Sequence, residues 1–341
     1  MRGGEFGSSG MIRDTYNRTI SYLRLSVTDR CNLRCQYCVP RNLPGVTTEG
    51  VTRKAEVLSY EDLFRLARES VGLGIRKIRV TGGEPLVRPG IVEFLERIAR
   101  LEPGPQVVLT TNGILLKKLA VPLREAGVKR LNISLDSLDD KTFKSITGGG
   151  DVNTVLGGID AAQRAGFPAP QINVVVLRGI NDHEIPAFAK MASSMGLNVR
   201  FIEYMPITGD SGWKQHYMPS HEVLERIAQE HRLTPVESVD GAGPAKYLKL
   251  DDGPGMVGVI SPISDHFCAS CNRIRISADG QARGCLLSEE TTDLKPYLER
   301  DDEAVREILK SIILHKPERH KVTESETSHG QGWVPMSAIG G

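Results

Sequence analysis

Six strand-length runs recur along the first two thirds of the chain: Tyr22–Val27, Lys77–Thr81, Gln106–Thr111, Arg130–Leu135, Gln171–Leu177 and Asn198–Tyr204. Each is rich in Val, Ile and Leu or alternates them with polar residues, the pattern of strands buried on at least one face. Between them, apolar residues at every third or fourth position predict helices over about 60–72, 90–100, 115–126, 152–165 and 184–195. Ser59 with Asp62 three residues on predicts a capping box at the start of the first helix, and Gly72 with Gly74 its end. Regular alternation of strand and helix predicts a parallel sheet with right-handed crossovers. Periodicity does not decide whether that sheet lies open or curls into a barrel.

After Pro206 the pattern changes. A helix near 220–230 leads to short strands at Lys246–Leu250 and Met256–Ile260, then to Arg273–Ser277 and Gln281–Cys285 joined through Ala278-Asp279-Gly280. Asp-Gly between two alternating runs is a hairpin signal. Charged helices are expected over about 291–314, followed by a polar tail. The division that follows is a barrel-sized unit over 11–206 and a smaller module over 207–341. Residues 1–10 are Gly- and Ser-rich without an apolar stretch and read as an expression scar. The segment 39–58 has no clear period and is long for a strand-to-helix connection, which fits either a functional or a disordered loop.

Composition narrows the class. The 341 residues are 40% hydrophobic and 25% charged, ordinary for a soluble globular enzyme, and no apolar run approaches the roughly 18 residues that span a membrane. A net charge of +1 points to neither nucleic acid nor an anionic membrane surface. An anionic substrate must therefore be met by locally placed cations. Arg24 alternates with Leu23 and Leu25, so its head points away from the apolar packing face; taken alone it reads as a solvated charge.

The six cysteines fall three and three. Cys31, Cys35 and Cys38 form C-x3-C-x2-C in RCNLRCQYC, where three thiolates can hold three corners of a cubane iron–sulfur cluster and leave one iron without a protein ligand. An open metal position is what lets a metal react. A disulfide framework belongs to short secreted domains, and zinc would want a fourth ligand that 30–38 does not supply. The second trio is Cys268-x2-Cys271-x13-Cys285. Spacing alone divides it evenly between zinc, with His266 completing a set of three Cys and one His, and a second cluster; the first site favours the cluster. Thiolate groups of this kind suit a reducing compartment, so a cytoplasmic location is expected. The unusual residues all follow strand ends: Cys31–Cys38, then Gly82-Gly83-Glu84-Pro85, Thr111-Asn112-Gly113, Ser134 with Asp136, and Met205 with Pro206. Carboxyl ends of strands are where both barrels and open α/β sheets place their sites.

The 30–38 run resembles the signature of the radical S-adenosylmethionine (SAM) enzymes. From Arg18 to Gly341 the chain is similar to one family among them, the GTP 3′,8-cyclases of molybdenum-cofactor synthesis. The similarity lies in LRLSVTDRCNLRCQYCVP, RVTGGEPLVRPG, LTTNG, LNISLDSLD, RFIEYMP, DHFCASCNRIRISADG and the terminal Gly340-Gly341. It implies an α/β fold, an incomplete (βα)6 TIM-like barrel with a C-terminal α+β extension covering the barrel mouth. It also implies SAM and two 4Fe–4S clusters, facing each other across that mouth. In the implied reaction a 5′-deoxyadenosyl radical takes the ribose C3′ hydrogen of GTP and the carbon radical attacks C8, giving (8S)-3′,8-cyclo-7,8-dihydroguanosine 5′-triphosphate. The second cluster would hold the guanine.

By the same resemblance, Tyr37, Gly83, Ser134 and Met205 would contact SAM, and Arg24, Arg79, Thr110, Arg273, Ile274 and Arg275 would contact GTP. Arg273, Arg275, Gly340 and Gly341 would be catalytic, the last two reaching into the site. One departure stands out: the family usually has Lys two residues before the match to Asn173, where this chain has Gln171. Either cations such as Arg178 compensate, or GTP is held more weakly. The implied partners are GTP, an external electron donor, a downstream cyclic pyranopterin monophosphate synthase and a second copy of the chain. Two other readings are a different radical SAM enzyme with an auxiliary cluster, and a non-enzymatic iron–sulfur or zinc protein.

Overall fold

The computed structural model describes residues 12–38, 46–47, 50–51, 56–205, 212–236, 243–288, 290–320, 322 and 336. Strands β1 (Tyr22–Ser26), β2 (Lys77–Thr81), β3 (Gln106–Thr111), β4 (Arg130–Ser134), β5 (Gln171–Val176) and β6 (Asn198–Glu203) start where the apolar pattern starts. Helices α1 (Tyr60–Gly72), α2 (Ile91–Ala99), α3 (Leu116–Glu125), α4 (Asp140–Thr147), α5 (Val152–Arg164) and α6 (Ile185–Met195) fill the crossovers. The expected capping box opens α1, with Ser59 Oγ accepting from Asp62 N and Asp62 accepting from Ser59 N. Helix α4 is an addition, opened by Asp139 accepting from Thr142 N and closed by Gly148 in the left-handed region. Most of 39–58 lies outside the described residues.

Downstream come α7 (Ser220–Ala228), β7 (Leu233–Pro235), β8 (Lys246–Leu250), β9 (Met256–Ile260), β10 (Arg273–Ile276), β11 (Gln281–Arg283), β12 (Thr292–Asp293) and α8 (Asp302–Leu314). The stretch expected to be helical over 291–314 is thus β12, one turn at Lys295–Leu298, and α8 capped by Asp301.

These later strands join the first sheet instead of forming a layer of their own. The sheet order is β12-β11-β10-β1-β2-β3-β4-β5-β6-β9-β8-β7, and the eight strands from β10 to β9 are parallel. One face of this parallel run carries Leu23, Ile78, Leu109, Ile133, Ile172 and Phe201, packed with the helices into a single core. The opposite face is polar. One cavity is lined from all eight strands at once, by Arg273, Tyr22, Arg79, Thr110, Ser134, Asn173, Arg200 and Ile260. Laid flat, eight strands would span about 34 Å, so the sheet is curled into a partial barrel. Among the described residues no helix is long and apolar enough to cross a membrane.

Residues 12–20 close the barrel onto the C-terminal segment through Arg18. Its buried guanidinium pairs with Asp14 at 2.5 Å and donates to the carbonyls of Cys268 (2.9 Å), Glu318 (2.8 Å) and Pro317 (2.7 Å). Removing one member of such a pair leaves a buried charge uncompensated, at a cost of about 3–5 kcal/mol. Arg18→Leu is therefore expected to lose stability on that scale in urea denaturation. A loss below about 1 kcal/mol would show that the clasp carries no net weight.

Candidate active site

The first cysteine loop is pinned on both sides. On one side Gly83 N donates to Thr28 O and Glu84 N to Arg30 O, both at 2.8 Å. On the other, Arg34 N donates to Thr147 O (2.7 Å) and Gln36 N to Ile146 O (2.9 Å) at the end of α4. A Cβ on Gly82 or Gly83 would run into the carbonyl oxygens of Thr28 and Arg30, and Gly82 has φ +152°. The glycine pair is thus required by the approach of two loops. Glu84 locks the second loop to the end of β3, accepting from Thr111 Oγ1 (2.8 Å), Asn112 N (2.7 Å) and Leu86 N (3.0 Å). Burial pushes its carboxyl up to about 7. Tyr37, between two of the cysteines, donates its hydroxyl to Asp136 at 2.7 Å, and Asp136 also accepts from Val175 N at 2.8 Å. Burial lifts Asp136 to about 6.

The second trio stands at the other end of the barrel. Strand β10 runs parallel to β1 with Tyr22 beside Arg273, so Cys271 precedes the amino end of β10, and Cys285 follows the antiparallel β11 at the same level. The first trio follows the carboxyl end of β1. The two sites therefore face each other along the barrel axis, separated by the length of β1, about 13 Å. This corrects the expected placement across the mouth: a parallel β10–β1 pairing puts the start of β10 at the opposite end. Neither cysteine trio is among the groups of described residues whose ligand atoms all lie within 4.8 Å of one another. Each trio instead brings three thiols to the wall of one cavity, the donor set that holds three irons of a cubane.

Electrostatics separate the two sites. In the first, burial pushes Cys31 up to about 11 and Cys38 to about 12. In the second, burial again opposes ionisation, but Arg273 and Lys316 overcome it and bring Cys271 down to about 6. Arg273 Nη2 donates to Cys271 Sγ at 3.3 Å.

Between the two sites lies a cationic wall. Arg275, Arg24 and Arg79 are direct neighbours across β10, β1 and β2. Arg79 donates to Thr110 Oγ1 at 3.1 Å and to the Tyr22 hydroxyl, while Lys77 stands 4.7 Å above the Tyr22 ring. Burial raises the Tyr22 phenol, yet Arg79, Arg24 and Lys77 together lower it to about 7. On the far wall Arg200 donates to Asn173 Oδ1 at 2.9 Å. Asn132 satisfies its neighbours in one orientation, oxygen toward Arg79 and Arg200 and nitrogen toward Gln171 Oε1 at 3.2 Å. The lining carboxylates, Asp136 and Glu203, have their own donors, Glu203 accepting from Ser220 N and Ile263 N at 2.9 Å.

The structure thus brings together both trios, Tyr37, Gly83, Ser134, Met205, Arg24, Arg79, Thr110, Arg273 and Arg275 on one cavity. Ile274 does not join them, because its side chain alternates into the apolar core. Gly340 and Gly341 lie outside the described residues, although Met336 lines the cavity. Arg178, the expected stand-in for a cation at 171, is turned away: it pairs with Glu222 at 2.7 Å and donates to Tyr217 O at 2.9 Å. The cation that faces the cavity is Arg200, which sequence reasoning missed. Its signal was present in the alternation Val199-Arg200-Phe201, as for Arg24. Tyr22, Lys77 and Asn132 were missed in the same way.

The radical SAM superfamily model matches residues 25–192, and the Molybdenum Cofactor Synthesis C model residues 197–322. The chain is 50% identical over 331 residues to the GTP 3′,8-cyclase of Geobacter sulfurreducens, covering 96% of this chain and 99% of that protein. It is 44% identical to the GTP 3′,8-cyclase of Alkaliphilus oremlandii, covering 97% and 100%. Among solved structures it is similar to Streptococcus suis SuiB bound to precursor peptide SuiA, with a TM-score of 0.61 at 17% identity over 89% of this chain and 67% of that one. That likeness concerns the fold alone.

The contrast between the trios predicts reactivity. In the metal-free chain at neutral pH, Cys271, lowered to about 6, is mostly thiolate, whereas Cys31 and Cys38, raised to about 11 and about 12, are thiols. A brief anaerobic iodoacetamide pulse read by peptide mass spectrometry should label Cys271 first, and Arg273→Met should remove that lead. Equal labelling of Cys31 and Cys271 would contradict the electrostatic argument.

Proposed function

We propose how the residues of this chain share the work from one premise: it belongs to the GTP 3′,8-cyclase family of the radical SAM superfamily. The chain is accordingly an enzyme that cyclises GTP in the first step of molybdenum-cofactor biosynthesis, with SAM and iron–sulfur clusters as cofactors. When bound, the first cluster and SAM supply the 5′-deoxyadenosyl radical that removes the ribose C3′ hydrogen.

Cys31, Cys35 and Cys38 hold that cluster, and Cys268, Cys271 and Cys285 the second. SAM lies against Tyr37, Gly83, Ser134 and Met205, with Asp136 fixing the Tyr37 ring and so the spacing of the cysteine loop. The triphosphate, carrying roughly −4 charges, lies on Arg24, Arg79, Arg200, Arg273 and Arg275, with Thr110 holding Arg79 in place. Ile274 contributes through strand position only. Gly340 and Gly341 would act on the substrate through backbone alone, which the absence of side chains permits. Residues 11–206 thus carry radical generation, and 207–341 the second cluster and the tail. An external one-electron donor, a downstream cyclic pyranopterin monophosphate synthase, a homodimer and a cytoplasmic location complete the reading.

The observation that carries it is the set of five arginines, Arg24, Arg79, Arg200, Arg273 and Arg275, lying with both cysteine trios on one cavity. Reconstituted anaerobically, the chain should bind about eight irons, and reduced with SAM it should release 5′-deoxyadenosine in a GTP-stimulated manner. Release indifferent to GTP would sink the assignment of the wall. Arg200→Met removes charge-assisted bonds worth about 1.5–3 kcal/mol, so GTP should bind about ten- to a hundredfold more weakly while SAM binding is unchanged. Deleting Gly340 and Gly341 should abolish cyclisation with iron content intact, and wild-type product from the truncated chain would exclude a role for the tail.

A further inference from the structure

We propose that His266, Cys268 and His320 form a site for one zinc-class divalent cation, filled in the chain that lacks its second cluster and mutually exclusive with that cluster. The inference rests on the reading that Cys268 is a cluster ligand. Among the described residues this is the group whose ligand atoms all lie within 4.8 Å of one another. The two imidazole rings stand 4.4 Å apart at an interplanar angle of 33°. His320 Nδ1 is buried and makes no well-formed hydrogen bond among the described residues, although the ring lies against the backbone of Pro262 and Val322.

The ligand chemistry selects the ion. Two imidazoles and a thiolate are soft-to-borderline donors that suit zinc and offer nothing to magnesium or calcium, which take oxygen. Three protein ligands leave a fourth tetrahedral position for water. Binding releases the Cys268 thiol proton to solvent, and no electron moves. The ligands come from two segments, the turn before β10 and the chain after α8. Arg18 holds these together through the carbonyls of Cys268 and Glu318 at 2.9 and 2.8 Å. The site is thereby assembled without the cluster, and a metal that takes Cys268 removes one corner of the cubane.

The full-length chain, stripped of metal under anaerobic conditions, is titrated with Zn2+ against a chromophoric chelator and in parallel with Co2+. One equivalent of Zn2+ and a Co2+ spectrum showing thiolate charge transfer with tetrahedral bands are expected. His266→Ala with His320→Ala should weaken zinc by roughly tenfold or more, whereas Cys271→Ala with Cys285→Ala should leave it bound. Zinc-loaded protein should then take up only about four irons. Folding of each variant is checked by the first cluster, which should still load its own iron. Zinc lost in the double cysteine variant but kept in the double histidine variant would overturn the proposal in favour of an all-cysteine site, as would no stoichiometric zinc at all. If metal-free wild type itself reconstitutes with only about four irons, the cluster reading fails instead, whatever the zinc result.

Discussion

Arg24, Arg79, Arg200, Arg273 and Arg275 share the wall of a single cavity, and like charges repel strongly where water is scarce. At an effective dielectric of about 20, two unit charges about 4 Å apart cost about 4 kcal/mol. The strain is visible in the groups themselves. Burial, then Arg275 and Arg79, hold Arg24 well below its ordinary value; burial and Arg273 bring Arg275 down to about 10. Oxygen atoms of Tyr22, Thr110, Asn132 and Asn173 are turned toward the guanidiniums, but these are dipoles or one weak acid, not full counter-charges. The outward faces of the same strands offset the cost by burying a continuous apolar shell against the helices. Such a wall makes the cavity favour an anion over a cation.

Much of this was legible in the chain. The starts of β1 to β6 coincide with the starts of the apolar runs, because a buried parallel strand is a local pattern. The capping box of α1 is equally local. What escaped was non-local. That β10 pairs parallel with β1 and β9 with β6 depends on contacts between residues more than fifty positions apart, and no short window contains them. For the same reason the second trio was expected at the mouth of the barrel. Arg200, Lys77 and Tyr22 needed only the alternation already used for Arg24, but reading a polar residue as inward requires knowing that the sheet curls. The need for the Gly82-Gly83 pair was equally non-local, since the atoms a Cβ would strike belong to the cysteine loop.

The two thiolate sites differ for reasons tied to their places in the barrel. The first sits against apolar and acidic neighbours, with Asp136 and Glu84 close by, so its sulfurs ionise only when a metal pays for the charge. The second borrows Arg273 from the cationic wall and Lys316 from the segment after α8, so Cys271 is a thiolate before any metal arrives. Arg273 thus serves the wall and the sulfurs at once. Any anion drawn to the wall would compete with the thiolate of Cys271 for the same guanidinium, so the electrostatics of the cavity and of the second trio meet in a single side chain.

That coupling depends on the distance between β10 and the segment after α8 staying fixed. Lys316 donates to Gly284 O, and a Cβ on Gly284 would make a tight contact, 3.1 Å, with the Lys316 backbone. Arg18 binds the carbonyls of Pro317 and Glu318 on the other side. The C-terminal segment is therefore held by two cations that also donate to backbone oxygens, one of them contributed from the opposite end of the chain. Weakening either clasp would let Lys316 withdraw from Cys271 and His320 from Cys268 together, since both contacts are made by the same short segment, 316–320. The N-terminal strand-like segment, remote in sequence from every cysteine of the second trio, is in this way part of what sets that trio's chemistry.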